Sequence, residues 1–205
     1  MKLYYSPGAC SLAPHIVLRE AGLAFTLGKV DTAKHVTAVG EDYYTINPRG
    51  MVPVLELDDG SRLSEGPVIA QFIADRAGAS TLMPPAGSIQ RYRVMEWQNY
   101  ITSELHKSFT PLFNPELDAT AKQILSTVLL KKLQWVNGQL AGLDFLTGNA
   151  FTAADAYLFT VLGWAEYVNL DIAELSNIQR FLSTVSQRPA VREAMKAEGL
   201  LAANA

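Results

Sequence analysis

One cysteine and one spaced set of polar side chains are the places where this chain could do chemistry. Cys10 is the only thiol in 205 residues, set between an apolar run, Leu3 to Tyr5, and a helical pattern that begins at Leu12. A thiol at a strand-to-helix junction faces the first unpaired N–H groups of the helix, whose partial positive charge favours thiolate over thiol. An ordinary thiol, with a pKa near 8.5, is about 3% thiolate at pH 7. Lowering that pKa by about two makes it roughly three quarters thiolate, a difference of about 2.7 kcal/mol. Position alone leaves two readings of Cys10 standing: a reactive sulfur, or the small buried hydrophobe that free cysteines more often are.

The second set lies in the pattern from 89 to 113. Asn99, Ser103, His106 and Thr110 recur there at steps of four, three and four, within about 60° of one another on an α-helix. A solvated face is usually Lys and Glu; these are neutral or switchable hydrogen-bonding groups suited to lining a site, or to joining two helices. An imidazole near a thiol stabilises its thiolate or moves its proton, so His106 is the stripe's chemically important member. His15 falls in the first helix, where it is packed or exposed, and His35 lies in a loop-like segment that leaves its role open.

The elements that must position these residues follow from periodicity and punctuation. Leu3 to Tyr5 is predicted as a strand. Leu12 to Ala21 is predicted as a helix that tolerates Pro14 only in its first turn and stops at Gly22. Phe25 to Val30 is a second strand, parallel to the first because a helix-length crossover joins them. Residues 31 to 47, punctuated by Asp31, Gly40 and Asn47-Pro48, predict a short mobile helix. Val52 to Leu57 and Ser61 to Leu63 form a hairpin about Asp59-Gly60, with Pro53 at an edge or bend. Ser64-Glu65-Gly66-Pro67 opens a helix that ends near Gly78, completing a βαβαββα order. A Pro/Gly/Ser-rich stretch follows, and beyond it the pattern is helical: 89–113, 119–141, 153–168, 175–187 and 190–197. The expected organisation is an α/β domain over 1–78, a linker over 79–87 and an all-helical domain over 88–205. Ile124, Leu125, Val128, Leu129, Leu133, Val136 and Leu140 should share one apolar face, and Thr152-Ala153-Ala154-Asp155 is a capping box.

Composition bounds the function. The chain is 49% hydrophobic with a net charge of -3 and scattered Lys and Arg, which argues against nucleic-acid or anionic-membrane partners. The longest apolar run, Ala156 to Ala165, is too short to cross a bilayer. The opening Met1-Lys2-Leu3-Tyr4-Tyr5-Ser6-Pro7-Gly8 is broken too soon for a signal peptide, so a cytoplasmic location is expected. A single cysteine excludes an internal disulfide and a cysteine-based zinc site, and no metal is expected.

The βαβαββα order, with a cysteine at the first strand-helix junction and a Pro opening the third strand, resembles the thioredoxin fold. Cys10-Ser11-Leu12-Ala13 lacks the second thiol of a CxxC motif, so an outside thiol would have to resolve any disulfide. With the linker, the helical domain and Phe151-Thr152-Ala153-Ala154-Asp155, the whole chain resembles a cytosolic glutathione transferase. Tyr5-Ser6-Pro7-Gly8-Ala9-Cys10-Ser11, Asn47-Pro48-Arg49-Gly50, Val52-Pro53, Glu65-Gly66 and Ser103-Glu104-Leu105-His106-Lys107 resemble the bacterial beta class. The resemblance implies glutathione as cosubstrate, with Cys10 contacting its sulfur or holding it as a mixed disulfide and His106 close to the same sulfur. Val52, before a Pro expected to be cis, would pair its backbone with the tripeptide. Glu65 would take the γ-glutamyl ammonium and the Gly66 N–H its carboxylate, with Asn99 and Ser103 extending the site. His35 stands where relatives usually carry a lysine for the glycine carboxylate; Lys34 and Lys107 are the nearby substitutes. A homodimer is implied as well.

Three functions compete. The leading one is conjugation of glutathione to small apolar electrophiles, in a pocket built from the Tyr5 to Pro7 loop, residues 106 to 117 and Trp164. The second is a thiol-disulfide transferase or reductive dehalogenase with Cys10 as nucleophile. The third is a non-catalytic carrier of apolar ligands. Tyr5 and Ser6 are rivals to Cys10, since other transferase classes use a hydroxyl at comparable places.

Overall fold

The computed structural model describes residues 1–201. They divide into two compact units, one formed by Met1–Met83 with the chain from Arg188 onward, the other by Pro84–Gln187. The sequence places 88–205 in one helical domain, whereas by contact the last helix belongs with the first unit.

The first unit is built on a five-stranded sheet whose strands lie in the order β3 (Val36–Thr37), β2 (Thr26–Asp31), β1 (Lys2–Tyr5), β4 (Val54–Glu56), β5 (Arg62–Ser64). Strands β1 (Lys2–Tyr5) and β2 (Thr26–Asp31) are parallel, with Tyr4 opposite Gly28. Helix α1 (Leu12–Glu20) makes the crossover between them, and Gly22, at a φ of 66°, ends it. Strand β4 (Val54–Glu56) runs antiparallel to β1 and pairs through the Asp59-Gly60 turn with β5 (Arg62–Ser64). The ladder begins at Val54, so Pro53 lies just outside it, where its missing N–H costs no sheet hydrogen bond.

Residues 31 to 47 depart from expectation. They hold a two-residue strand, β3 (Val36–Thr37), antiparallel to β2, and a 3₁₀ turn over Tyr43–Thr45, in place of a short helix. Tertiary burial decides the matter: Tyr43 and Ile46 pack with Tyr4, Val30 and Val54 in one cluster, an arrangement weak helical periodicity does not report. Helix α2 (Gly66–Ala77) starts at Gly66 and closes on a left-handed Gly78.

The second unit is helical. Helix α3 (Ile89–Tyr100) runs into a π-helical segment, Ile101–His106, then α4 (Lys107–Phe109) and a 3₁₀ turn, Thr110–Phe113, where the sequence predicts one α-helix. Hydroxyls cover carbonyls along this run: Thr102 donates to Gln98 O, Ser103 to Asn99 O, Ser108 to Glu104 O and Thr110 to His106 O. Helix α5 (Ala119–Gln139) buries Leu129, Leu133 and Val136, with Leu140 just after it, but leaves Ile124 and Val128 60% and 47% exposed, so only the later part of its predicted face is core. Lys132 on α5 donates to Glu104 O and Ser108 Oγ and pairs with the Glu104 carboxylate, tying α5 to the π segment.

Helix α6 (Ala153–Leu162) is buried throughout, followed by α7 (Trp164–Tyr167) and α8 (Ser176–Ser186). At the head of α6, Asp155 accepts from the Thr152 N–H, the Thr152 hydroxyl and the Leu146 N–H at 2.7 to 2.8 Å. Burial outweighs these donors and pushes its carboxyl up to about 6. Helix α9 (Pro189–Ala197) packs on α1, and Arg188 pairs bidentately with Glu20 at 2.6 and 2.9 Å. No helix among the described residues is long and apolar enough to cross a membrane.

Candidate functional site

Cys10 lies half-buried in the loop between β1 and α1. Its thiol donates to the Val52 carbonyl at 3.3 Å. The loop is fastened from inside by Ser11, whose fully buried hydroxyl accepts from the Ser6 N–H and donates to the Ser6 carbonyl, each at 3.2 Å. It is fastened from outside by Glu198, next to the end of α9, whose Oε2 accepts the Gly8 N–H at 3.0 Å. Glu198 Oε1 lies 2.8 Å from His15 Nδ1, and Arg19 Nε–H donates to His15 Nε2 at 3.0 Å. With Nε2 accepting, the imidazole proton sits on Nδ1 and points at the carboxylate. His15 is therefore packed, within a chain of polar contacts that ends two residues from the thiol.

The rivals to Cys10 fare differently. Burial, and then the charge of Glu198, raise the Tyr5 phenol above its ordinary value, the opposite of what an activating hydroxyl needs. Ser6 is half-buried, with the Ser11 hydroxyl bridging its backbone N–H and carbonyl.

The Val52–Pro53 peptide is cis. The segment before it is held by Tyr43 Oη and Asn47 Nδ2, which both donate to the Met51 carbonyl, at 2.9 and 2.7 Å. A Cβ on Gly66 would sit 3.9 Å from the Pro53 ring, so α2 begins beside that proline. Cys10, Val52 and Gly66 thus gather about one short stretch of backbone. Glu65, at a φ of 70° that side-chain-bearing residues rarely adopt, stands at the head of α2. Its carboxylate pairs with Arg49 at 2.8 Å, and Arg49 also donates to Ser64 Oγ at 2.6 Å. The carboxylate assigned to a ligand ammonium therefore already has a cation beside it.

His35 adopts a φ of 54°, and its ring lies 4.5 Å from that of Tyr44. Its Nδ1 is buried with no hydrogen-bond partner. Gly50 closes over the ring so tightly that a Cβ there would lie 2.7 Å from His35 Nδ1.

In the helical unit Asn99, Ser103 and Thr110 are exposed and His106 is half-buried. The 100° spacing behind the stripe holds for an α-helix, whereas a π turn with its i→i+5 bonds advances less per residue. His106 Nδ1 lies 2.7 Å from Tyr157 Oη. The Trp164 ring stands T-shaped to the same imidazole, with centroids 4.7 Å apart and planes at 73°, and Phe109 and Phe113 meet Trp164 in turn. This group is apolar, with one imidazole at its margin. Among the described residues no cluster of three or more His, Cys, Asp or Glu is placed to hold a metal ion.

Sequence reasoning missed Arg49, Glu198 and Tyr157. Arg49 was within reach, since it stands in the Asn47-Pro48-Arg49-Gly50 motif. Glu198 and Tyr157 gave no signal, because each acts across a long stretch of chain, on Gly8 and on His106.

Profiles of two domains match the chain: the glutathione S-transferase N-terminal domain over residues 8–76 and the C-terminal domain over 100–189. Glutathione S-transferase GstA of Escherichia coli O157:H7 is 50% identical over 98% of this chain and 100% of its own length. The chain belongs to the glutathione S-transferase family. Solved structures similar to it include glutathione S-transferases of bacteria. The sphingomonad glutathione S-transferase solved with glutathione is 47% identical, with a TM-score of 0.93 over 98% of this chain and 100% of that one. The beta-class glutathione S-transferase of Sphingomonas chungbukensis is 43% identical, with a TM-score of 0.94 over the same shares. The α/β thioredoxin-like unit and the helical unit are the two parts of that fold, and the beta-class resemblance holds along the whole chain.

Proposed function

We propose that this protein conjugates reduced glutathione to small apolar electrophiles, as a cytoplasmic homodimer. The observation that carries the reading is the Cys10 thiol on the Val52 carbonyl, at the backbone stretch just outside the sheet where an extended peptide would pair. Val52 would lend its backbone to the tripeptide, Gly66 and the start of α2 would receive the γ-glutamyl carboxylate, and Glu65 its ammonium, sharing its charge with Arg49. His35 would meet the glycine carboxylate. Asn99, Ser103 and His106 would complete the site, and the group around Trp164 would hold the electrophile. Cys10 would lie against the glutathione sulfur or bind it covalently. Exposed Ile124, Val128 and Trp135 on α5 agree with a further protein surface to be covered.

The half-exposed thiol also favours a second reading, in which Cys10 attacks directly and glutathione resolves the adduct. The test is intact mass after incubation with oxidised glutathione and no reductant, for the wild type and Cys10→Ser, with conjugation rates for both and for Cys10→Ala. A single adduct on the wild type alone, with conjugation retained in the variants, supports conjugation with a covalently competent Cys10. Complete loss of turnover in Cys10→Ser supports the redox reading. Binding of apolar ligands without turnover of any electrophile supports a carrier.

A further inference from the structure

We propose that Tyr157 fixes the tautomer of His106, so that the imidazole offers Nε2–H to the glutathione sulfur and stabilises a thiolate without taking its proton. The inference rests on the reading above that His106 meets that sulfur. It starts from the 2.7 Å contact between Tyr157 Oη and His106 Nδ1. A phenol is a stronger acid than the N–H of neutral imidazole, and an imidazole lone pair is a stronger base than a phenol oxygen. The pair therefore aligns with O–H donating to Nδ1. The ring proton is then on Nε2, the nitrogen that points away from Tyr157.

The surroundings hold this arrangement. Tyr157 is buried in α6, two residues after the Asp155 carboxylate that anchors the start of that helix through three donors. On the imidazole, the T-shaped packing of Trp164, with centroids 4.7 Å apart, supplies a second constraint on ring orientation. For His106 to act as a base, Nε2 would need its lone pair, which would turn Nδ1–H toward the phenol and leave Tyr157 as the acceptor, the poorer pairing. In the proposed sequence the glutathione S–H proton passes to water and its electron pair stays on sulfur, where Nε2–H donates to it. That pair then forms the sulfur–carbon bond as the leaving group departs with the electrons of the bond that breaks. Tyr157 is a positioning residue in this scheme.

The tautomer is read directly by long-range proton–nitrogen correlation on protein labelled with ¹⁵N-histidine, where His106 should show a protonated Nε2 and an unprotonated Nδ1. Tyr157→Phe keeps the ring and removes the hydroxyl. It should raise the pKa of bound glutathione, followed by thiolate ultraviolet absorbance, by about one, and lower kcat/KM below that pKa about tenfold, while KM for glutathione moves less than about twofold. His106→Gln, which can donate but takes no proton at neutral pH, should keep most of the thiolate that His106→Ala loses. A protonated Nδ1, an unchanged pH profile in Tyr157→Phe, or a glutamine variant no better than alanine overturns the proposal. If the tautomer is as stated but His106→Ala leaves the thiolate pKa in place, the reading that puts His106 at the sulfur is what fails, and the proposal falls with it.

Discussion

Replacing Glu198 by glutamine tests how the thiol loop is held. Both carboxylate oxygens are in use: Oε1 faces His15 Nδ1 at 2.8 Å and Oε2 accepts the Gly8 N–H at 3.0 Å, and both the Glu198 and His15 side chains are fully buried. Glutamine has one acceptor oxygen, so its NH₂ must face one of two donors. If it faces Gly8, that N–H loses its carboxylate acceptor beside the Cys10 loop. If it faces His15, the imidazole must turn its lone pair to Nδ1 and carry its proton on Nε2, against the Arg19 Nε–H that donates there at 3.0 Å. Either way both donors lose a charged acceptor and one loses its acceptor oxygen altogether, a loss of about 2 to 4 kcal/mol. For a chain of this length that corresponds to a fall of roughly 4 to 16 °C in Tm. Urea melts followed by circular dichroism measure the first figure and calorimetry the second. Because Gly8 is two residues from Cys10, KM for glutathione should rise in the same variant. A change below about 0.5 kcal/mol would refute the reasoning, since it would mean that the network contributes nothing beyond what an amide supplies.

Further outcomes follow from other parts of the molecule. Asp155→Ala removes three accepted hydrogen bonds at the start of a buried helix and should cost about 2 to 4 kcal/mol in urea melts. The Asp155 carboxyl is raised on folding from 3.8 to about 6, so its proton stabilises the fold fully below about pH 3.8 and that contribution is lost as pH rises through 6. Asp155→Asn cannot titrate, and the wild type's stability relative to it should fall by about 3 kcal/mol over this window, as parallel urea melts would show. Gly50→Ala places a Cβ 2.7 Å from His35 Nδ1 at a φ of 66°; it should lower stability by about 1 to 3 kcal/mol and weaken glutathione binding in calorimetric titration. Arg49→Ala frees the Glu65 carboxylate for an ammonium, so glutathione affinity should hold or rise in the same titration, and a fall of more than tenfold would assign Arg49 to the ligand instead.

Much of this was legible in residue order. The βαβ unit, the 59–60 turn, Gly66 at the head of α2 and the helical character beyond Ile89 follow from apolar spacing and from Gly and Pro punctuation, both local signals, although the predicted helices 89–113 and 153–168 are each divided in the structure. The segment 31–47 was illegible because Tyr43 and Ile46 are claimed by a core that includes Tyr4, distant in sequence. The π segment was illegible for another reason: its hydroxyl-covered carbonyls and the Lys132 contact leave hydrophobic spacing almost unchanged. Ile124 and Val128 fit a helical face equally well whether the molecule covers that face or leaves it outside. At the site, residue types marked Cys10 and His106 and the Val52-Pro53 motif marked Val52, but the thiol's contact with the Val52 carbonyl, the hold of Glu198 on Gly8 and that of Tyr157 on His106 were invisible, because a backbone carbonyl has no sequence signature and long-range pairs have no spacing.

The central claim is that this protein joins glutathione to an apolar electrophile, and the most direct measurement is the mass of the product. Purified protein is incubated with reduced glutathione and a nitro-substituted aryl chloride, and the reaction is followed by mass spectrometry against a protein-free control. A free conjugate is expected whose mass equals glutathione plus the electrophile less hydrogen chloride, formed well above the uncatalysed rate and suppressed by a glutathione analogue lacking sulfur. Glutathione binding with no conjugate above the control, or an aryl group left on Cys10 and none on glutathione, would contradict it.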